Sequence, residues 1–242
     1  MSFWEKIYFP LKNATAWCCI IMICSVYRSS AQTDLTVDFA LLNAFKQGKA
    51  YNNCAAIALI KAALGTFGVE AVVKTEKVDS GFVFRLRNHE VVFLTQEELT
   101  CCISRSGFVQ KNFDSVSMAI KRAADTCFAV MCKKQQYKDQ ITLDVAVKKI
   151  NNGYKTSEIA FLLGVQFKRI QSTSSKKLAA YKHVVVYNFY HAAYSTNGVY
   201  DYTDNSLGYT SVKNFKWNHT DSSGEYYSYL CDIREAFSII DY

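Results

Sequence analysis

Residues Cys54 to Leu64 read CAAIALIKAAL, a run of Ala, Ile and Leu with a single charge, Lys61. Asn52 or Asn53 stands before it as a cap, and Gly65 and Gly68 follow it, so the pattern predicts a helix over these residues. A helix that is apolar on nearly every side has no face to offer water and belongs in the centre of a domain. The rest of the chain is able to bury it. Half of the 242 residues are hydrophobic and a fifth are charged, which excludes disordered and collagen-like classes. No apolar run approaches the roughly 20 residues of a membrane-spanning helix, which excludes a polytopic membrane protein. The net charge of +7 is scattered, without a basic stripe or aromatics interleaved with Lys and Arg, so no nucleic-acid partner is expected.

The N-terminal segment has a different character. Lys6 and Lys12 precede a twelve-residue apolar stretch, Ala16 to Tyr27, and small residues stand at Ser29 and Ala31. A basic leader, a short apolar run and small residues at the cleavage positions predict a signal peptide over residues 1–31. The expected location is secreted or periplasmic, with an uncleaved membrane anchor as the alternative and no stable membrane association after cleavage. Cleavage would leave residues 32–242 as one domain with 25 basic against 20 acidic residues. It would also remove the only proline, Pro10, together with Cys18, Cys19 and Cys24. Six cysteines would remain: Cys54, Cys101, Cys102, Cys127, Cys132 and Cys231. Adjacent cysteines at 101 and 102, and two five apart in one predicted helix, do not form the spacing of a disulfide framework. They read as buried small hydrophobes with at most one or two bridges. No Cys/His spacing suits zinc, so neither metal nor cofactor is expected.

Along the remaining chain, residues 38–45 have helical periodicity. The β-rich runs Gly81 to Leu86 and Glu90 to Leu94 flank Arg87-Asn88-His89 and predict a hairpin. Thr95-Gln-Glu-Glu98 matches a capping box. Asp114 or Ser115 opens a long helix to about Lys133, Leu143 to Ile150 forms another, and a short one runs from Ser157 to Gly164. Strands follow at His183–Tyr187, Gly198–Tyr202, Thr210–Val212 and Glu225–Leu230. Helices first and antiparallel sheet second predict an α+β domain of two lobes, residues 32–150 mainly helical with a hairpin and 151–242 mainly β.

Cys54 is the outlier among the cysteines because it heads the buried helix. The positive end of a helix dipole stabilises a thiolate, and the amides there can face an oxyanion. Among the four histidines, His89 is in a hairpin turn, while His191 and His219 lie in polar, loop-like sequence. His183 opens a β-run and is the expected base. Asp201, Asp204 and Asn205 on or after the next strand are candidates to orient its ring.

A cysteine heading a buried helix, followed over a hundred residues later by a histidine and a polar residue on consecutive strands, resembles papain-like cysteine proteases. Gln47-Gly48 through Asn53-Cys54-Ala-Ala-Ile-Ala-Leu-Ile60 is similar to the calpain-type catalytic segment, and Phe82 to Leu99 to the strand–turn–strand–helix that follows it. Ala123 to Met131, Asn152-Gly153 with Ile159 to Gly164, His183-Val-Val-Val and Asp204-Asn-Ser-Leu-Gly208 fall in the family's order. The order of the histidine and the Asp turn also resembles the bacteriocin-processing peptidases. The resemblance implies a papain-like fold with the cysteine-headed helix packed on an antiparallel sheet. It implies Cys54 as nucleophile, His183 as base, and Asp204 as the third member, with Asn205 and Asp201 as alternatives. It implies the Cys54 amide and Gln47 as oxyanion donors, with Asn53 or Asn52 as the alternative to Gln47. The implied activity is hydrolysis of a peptide or amide bond in a peptide or protein, peptidoglycan peptides included. Transglutaminase or deamidase chemistry uses the same residues. Ala55, where the family commonly has an aromatic residue, and Gln47, seven rather than six residues before Cys54, motivate an alternative: the same fold as an inactive binding module. A further alternative is an unrelated α+β adhesin whose cysteines are bridged.

Overall fold

The computed structural model describes residues 38–241 apart from 172, 189–190, 202–208, 212–215, 221–225 and 231–232. The expected signal peptide lies outside the described residues, as do Asp204, Asn205 and Cys231. The chain begins with a helix, α1, over 38–43, and a short strand, β1 (Phe45–Gln47). The predicted helix therefore stops two residues early, and Phe45 enters a strand, where it is fully buried against Phe108.

Helix α2 (Cys54–Phe67) is the central element. Every residue from Ala55 to Leu64 is buried, as a helix with no polar face requires. It runs through Gly65 rather than ending there, and Gly68 is the residue that caps it. Gly65 is tolerated inside the helix because a neighbour needs the space: a Cβ there would come within 2.2 Å of the His183 ring. Next come β2 (Val73–Val78), β3 (Gly81–Leu86) and β4 (Val91–Thr95), an antiparallel three-stranded sheet that contains the predicted hairpin. The capping box forms at α3 (Gln96–Ser104): Thr95 accepts from the Glu98 amide and Glu98 reaches back to the Thr95 amide. Strand β5 (Phe108–Gln110) pairs with β1. Asp114 caps α4 (Ser115–Asp139), which continues well past Lys133. Thr142 caps α5 (Leu143–Asn151), and two 3-10 turns, Thr156–Glu158 and Ala160–Leu163, end at Gly164.

The last part of the chain is mostly sheet. Strands β6 (Gln166–Arg169), β7 (Val184–Tyr187), β8 (Ala192–Thr196), β9 (Val199–Asp201), β10 (Tyr209–Ser211) and β13 (Glu235–Ile240) form an antiparallel six-stranded sheet. A four-residue helix, α6 (Ser175–Leu178), lies between β6 and β7, and β11 (Lys216–Thr220) pairs with β12 (Tyr226–Leu230). The order across the six-stranded sheet is β10-β9-β8-β7-β13-β6, so the C-terminal strand is inserted between β7 and β6. Helix α2 packs on β7, β8 and β13 on one side and on α4 and β1 on the other. The protein is thus α+β, helices and antiparallel sheets enclosing one helix.

The one charge in that helix is not wasted. Lys61 is fully buried, and its Nζ lies 2.8 Å from Asp201 Oδ2, 3.5 Å from the Leu42 carbonyl and 4.9 Å from the centre of the Phe45 ring. Asp201 Oδ1 accepts from the Tyr194 amide at 3.0 Å. One ion pair therefore ties α2 to the end of β9. Removing one member of a buried pair strands the other charge, so Lys61→Ala should lower the unfolding free energy in urea by about 3–5 kcal/mol. A loss below about 1 kcal/mol would match an exposed pair and contradict the burial described.

Candidate active site

Cys54 occupies the first turn of α2 and is only partly covered. A helix start leaves amides without partners, and the preceding residue ordinarily caps them. Asn53 does not: no side-chain cap bond is made. Its side chain turns inward instead, donating to the Ser106 carbonyl at 2.7 Å and to Asn151 Oδ1 at 2.8 Å. The end of the helix is left to the thiol. The Ala55 amide donates to the Cys54 sulfur, and so does the Ala192 amide at the head of β8.

The His191 ring is hydrogen-bonded to the same sulfur. Burial raises the thiol's pKa, but the hydrogen bond and charge of His191, with the two amides, outweigh it and hold Cys54 below the ordinary thiol value. His191 is fixed by its hairpin. Its amide donates to Asn188 Oδ1 at 2.9 Å, and its carbonyl accepts from the Asn188 amide at 3.0 Å. The Asn188 side chain thereby closes the β7–β8 turn and sets where β8 begins.

His183, the expected base, is elsewhere. It stands before β7 with a left-handed φ of 52°. Its Nδ1 is 2.8 Å from the Tyr194 hydroxyl and its Nε2 is 3.3 Å from Asp38 Oδ1. The ring rests on Gly65, eleven residues after Cys54, which is about 16 Å farther along the helix at 1.5 Å per residue. His183 therefore does not meet Cys54. It ties α1 to the sheet, since Asp38 also accepts from Asn197 at 3.0 Å. Asp38 was not among the expected site residues.

The other candidates separate in the same way. Asp201 is committed to Lys61 and the Tyr194 amide, so its carboxylate anchors α2 rather than orienting a histidine. Asn53 has spent both amide hydrogens on Ser106 and Asn151 and has none for an oxyanion. Gln47, at the end of β1, donates from Nε2 to the Tyr51 carbonyl across the turn before α2. Asp204 and Asn205 lie outside the described residues, in the segment that joins β9 to β10.

The loop that presents Cys54 is held from below. Asn151, at the end of α5, accepts from the Asn52 amide at 2.7 Å and donates from Nδ2 to the Arg105 carbonyl at 2.8 Å. Ser106 donates to Asp125 of α4 at 3.0 Å, and Lys121 pairs with that carboxylate at 2.6 Å. Gly48 donates to the Gly107 carbonyl at 2.9 Å. Gly107 must be glycine: φ is +68°, and a Cβ would strike the Tyr51 ring at 2.6 Å. Among the described residues no group of three or more His, Cys, Asp or Glu side chains is placed to hold a metal ion, and no helix is long and apolar enough to cross a membrane. No family model, curated protein or solved structure matches the chain.

Proposed function

We propose that this protein is a cysteine hydrolase acting on a peptide or amide bond, with Cys54 as nucleophile and His191, not His183, as base. The observation that carries this reading is the Cys54 thiol, hydrogen-bonded to the His191 ring at the uncapped start of a buried helix. An activated thiol nucleophile requires a base within hydrogen-bond reach and a local field that favours the thiolate. Both are present.

In the proposed reaction His191 takes the Cys54 proton, and the sulfur attacks the substrate carbonyl carbon. The tetrahedral oxyanion is met by amides of the first turn of α2 and by the second amide hydrogen of Gln47. His191 returns the proton to the leaving amine as the carbon–nitrogen bond breaks, leaving a thioester on Cys54. Water then attacks the thioester carbonyl, giving its proton to His191, and Cys54 is released with that proton. Asp204 is proposed to orient His191, with Asn205 as the alternative. The chain passes into that segment from Asp201, whose carboxylate holds the Tyr194 amide three residues after His191.

With His191 in the role, the order of cysteine helix, histidine strand and following polar turn still resembles the papain-like proteases, including the calpain type. We carry the two-lobed papain-like fold as part of the proposal. The supporting features are a cysteine-headed helix laid on an antiparallel sheet and a histidine at the head of a strand in it. A peptide or protein substrate, an N-terminal export signal over 1–31 and a secreted or periplasmic location complete the proposal. The inactive-module alternative is motivated by Ala55 and the position of Gln47. A base in hydrogen-bond contact with Cys54 argues against it.

Two measurements test the assignment. The rate of iodoacetamide labelling at Cys54 should rise as pH climbs through the depressed thiol pKa and level off above it. In His191→Ala that curve should move to higher pH, with labelling at pH 6 slower by about tenfold or more. His183→Ala should leave the curve in place, and the reverse pattern would reinstate His183. On a panel of fluorogenic peptide amides, Cys54→Ala should abolish turnover and His191→Ala should reduce it about 10²–10⁴-fold. Hydrolysis that survives in Cys54→Ala would overturn the proposal.

A further inference from the structure

Three cysteines between α3 and α4 stand apart from the site above. Cys102 and Cys132 are both fully buried, on packed helices, and their thiols are hydrogen-bonded to each other. An ion pair fixes the register: Glu98, one turn before Cys102, meets Lys133, the residue after Cys132, at 2.6 Å. Cys101 is exposed, and the Arg105 guanidinium is hydrogen-bonded to it. The two buried thiols are electrically unequal. The bond from Cys132, aided by Arg105 and Lys133, outweighs burial and holds Cys102 below the ordinary value. Burial first, and the neighbouring Cys102 next, push Cys132 well up. Cys127 is the contrast, buried alone with its thiol pushed up to about 12.

Two thiols in hydrogen-bond contact across a helix interface are placed to form a disulfide. Cys101 is exposed, but as the next residue along α3 it faces away from Cys102. We propose that Cys102 and Cys132 form a redox pair that takes oxidising equivalents from an external disulfide and ends as a Cys102–Cys132 cross-link between α3 and α4. When the end of α3 opens locally, the Cys102 thiolate attacks the external disulfide, forming a mixed disulfide and expelling one thiolate, which takes up the Cys102 proton. Cys132 then attacks the Cys102 sulfur, expelling the second external thiolate, which takes up the Cys132 proton. Two protein thiols are oxidised and one external disulfide is reduced to two thiols.

The cross-link would fasten the end of α3 to α4 directly before the Arg105–Gly107 loop. That loop already touches α4 through Ser106 and Asp125, and it carries the carbonyls that hold Asn53 and Asn151. The inference does not depend on the hydrolase reading, because its readout is the bond itself.

The test is non-reducing peptide mapping of the full chain, reduced and then incubated with oxidised glutathione. The expected product links the Cys102 and Cys132 peptides. In Cys101→Ser the same link should form at an unchanged rate, and a rate lowered about tenfold or more would overturn direct oxidation of the pair. In Cys132→Ala oxidation at the pair should stop at a Cys102 glutathione adduct. A wild-type map with Cys101 glutathionylated and both Cys102 and Cys132 still thiols would overturn the cross-link, without recourse to any variant. A wild-type map that instead links Cys101 to either buried cysteine would overturn the pairing.

Discussion

The close approach of α2 to β7 and β8 is the constraint on which the rest of the molecule depends. Helix and sheet come together through small residues: Ala192 and Ala193 at the head of β8 are 3% and 2% exposed, and Gly65 leaves room for the His183 ring. Larger side chains at these positions would lift the helix off the sheet, since cores are packed to crystal-like density. At this spacing the first turn of α2 meets the first residues of β8, so the Ala192 amide and the His191 ring reach one sulfur. The Lys61–Asp201 pair adds a fixed point farther along the helix. An ion pair buried this deeply adds less stability than its Coulomb energy suggests, and its contribution is better understood as holding the helix in register.

The β7–β8 hairpin divides two histidines between two tasks. His183 enters β7 above Gly65, and Asp38 and the Tyr194 hydroxyl hold its ring, so it closes the N-terminal helix onto the sheet. His191 leaves the turn at the opposite end, where the start of α2 is free of a capping side chain. The inward turn of Asn53 serves both ends of this arrangement. It satisfies Ser106 and Asn151 below the loop and leaves the first turn of α2 without a side-chain cap beside the Cys54 sulfur.

Much of the helical part was legible from local pattern. The buried helix, the Thr95–Glu98 capping box, the Asp114 cap and the β3–β4 hairpin all rest on interactions within a few residues. Strand β8 was not legible. Ala-Ala-Tyr-Ser-Thr is buried at every position, so it shows no alternation, and alanine is a weak strand former. With β8 unseen, His191 read as a loop residue and His183, beside an obvious Val-Val-Val run, took its place. Gly65 read as a helix stop because the ring that requires it lies more than a hundred residues away. Asp201 looked like a free carboxylate because its partner is a lysine inside the central helix, 140 residues away in sequence.

Taken by itself, the sequence determined that one helix would be buried, that a cysteine would head it, and that helices would precede an antiparallel sheet. Those follow from hydrophobic period, capping and propensity, which act over a few residues. Which histidine faces the cysteine, where Lys61 finds its counter-charge and where the C-terminal strand enters the sheet were decided only by tertiary structure. Each depends on strand register and on the distance at which small side chains let a helix lie on a sheet, and neither is encoded at any single position.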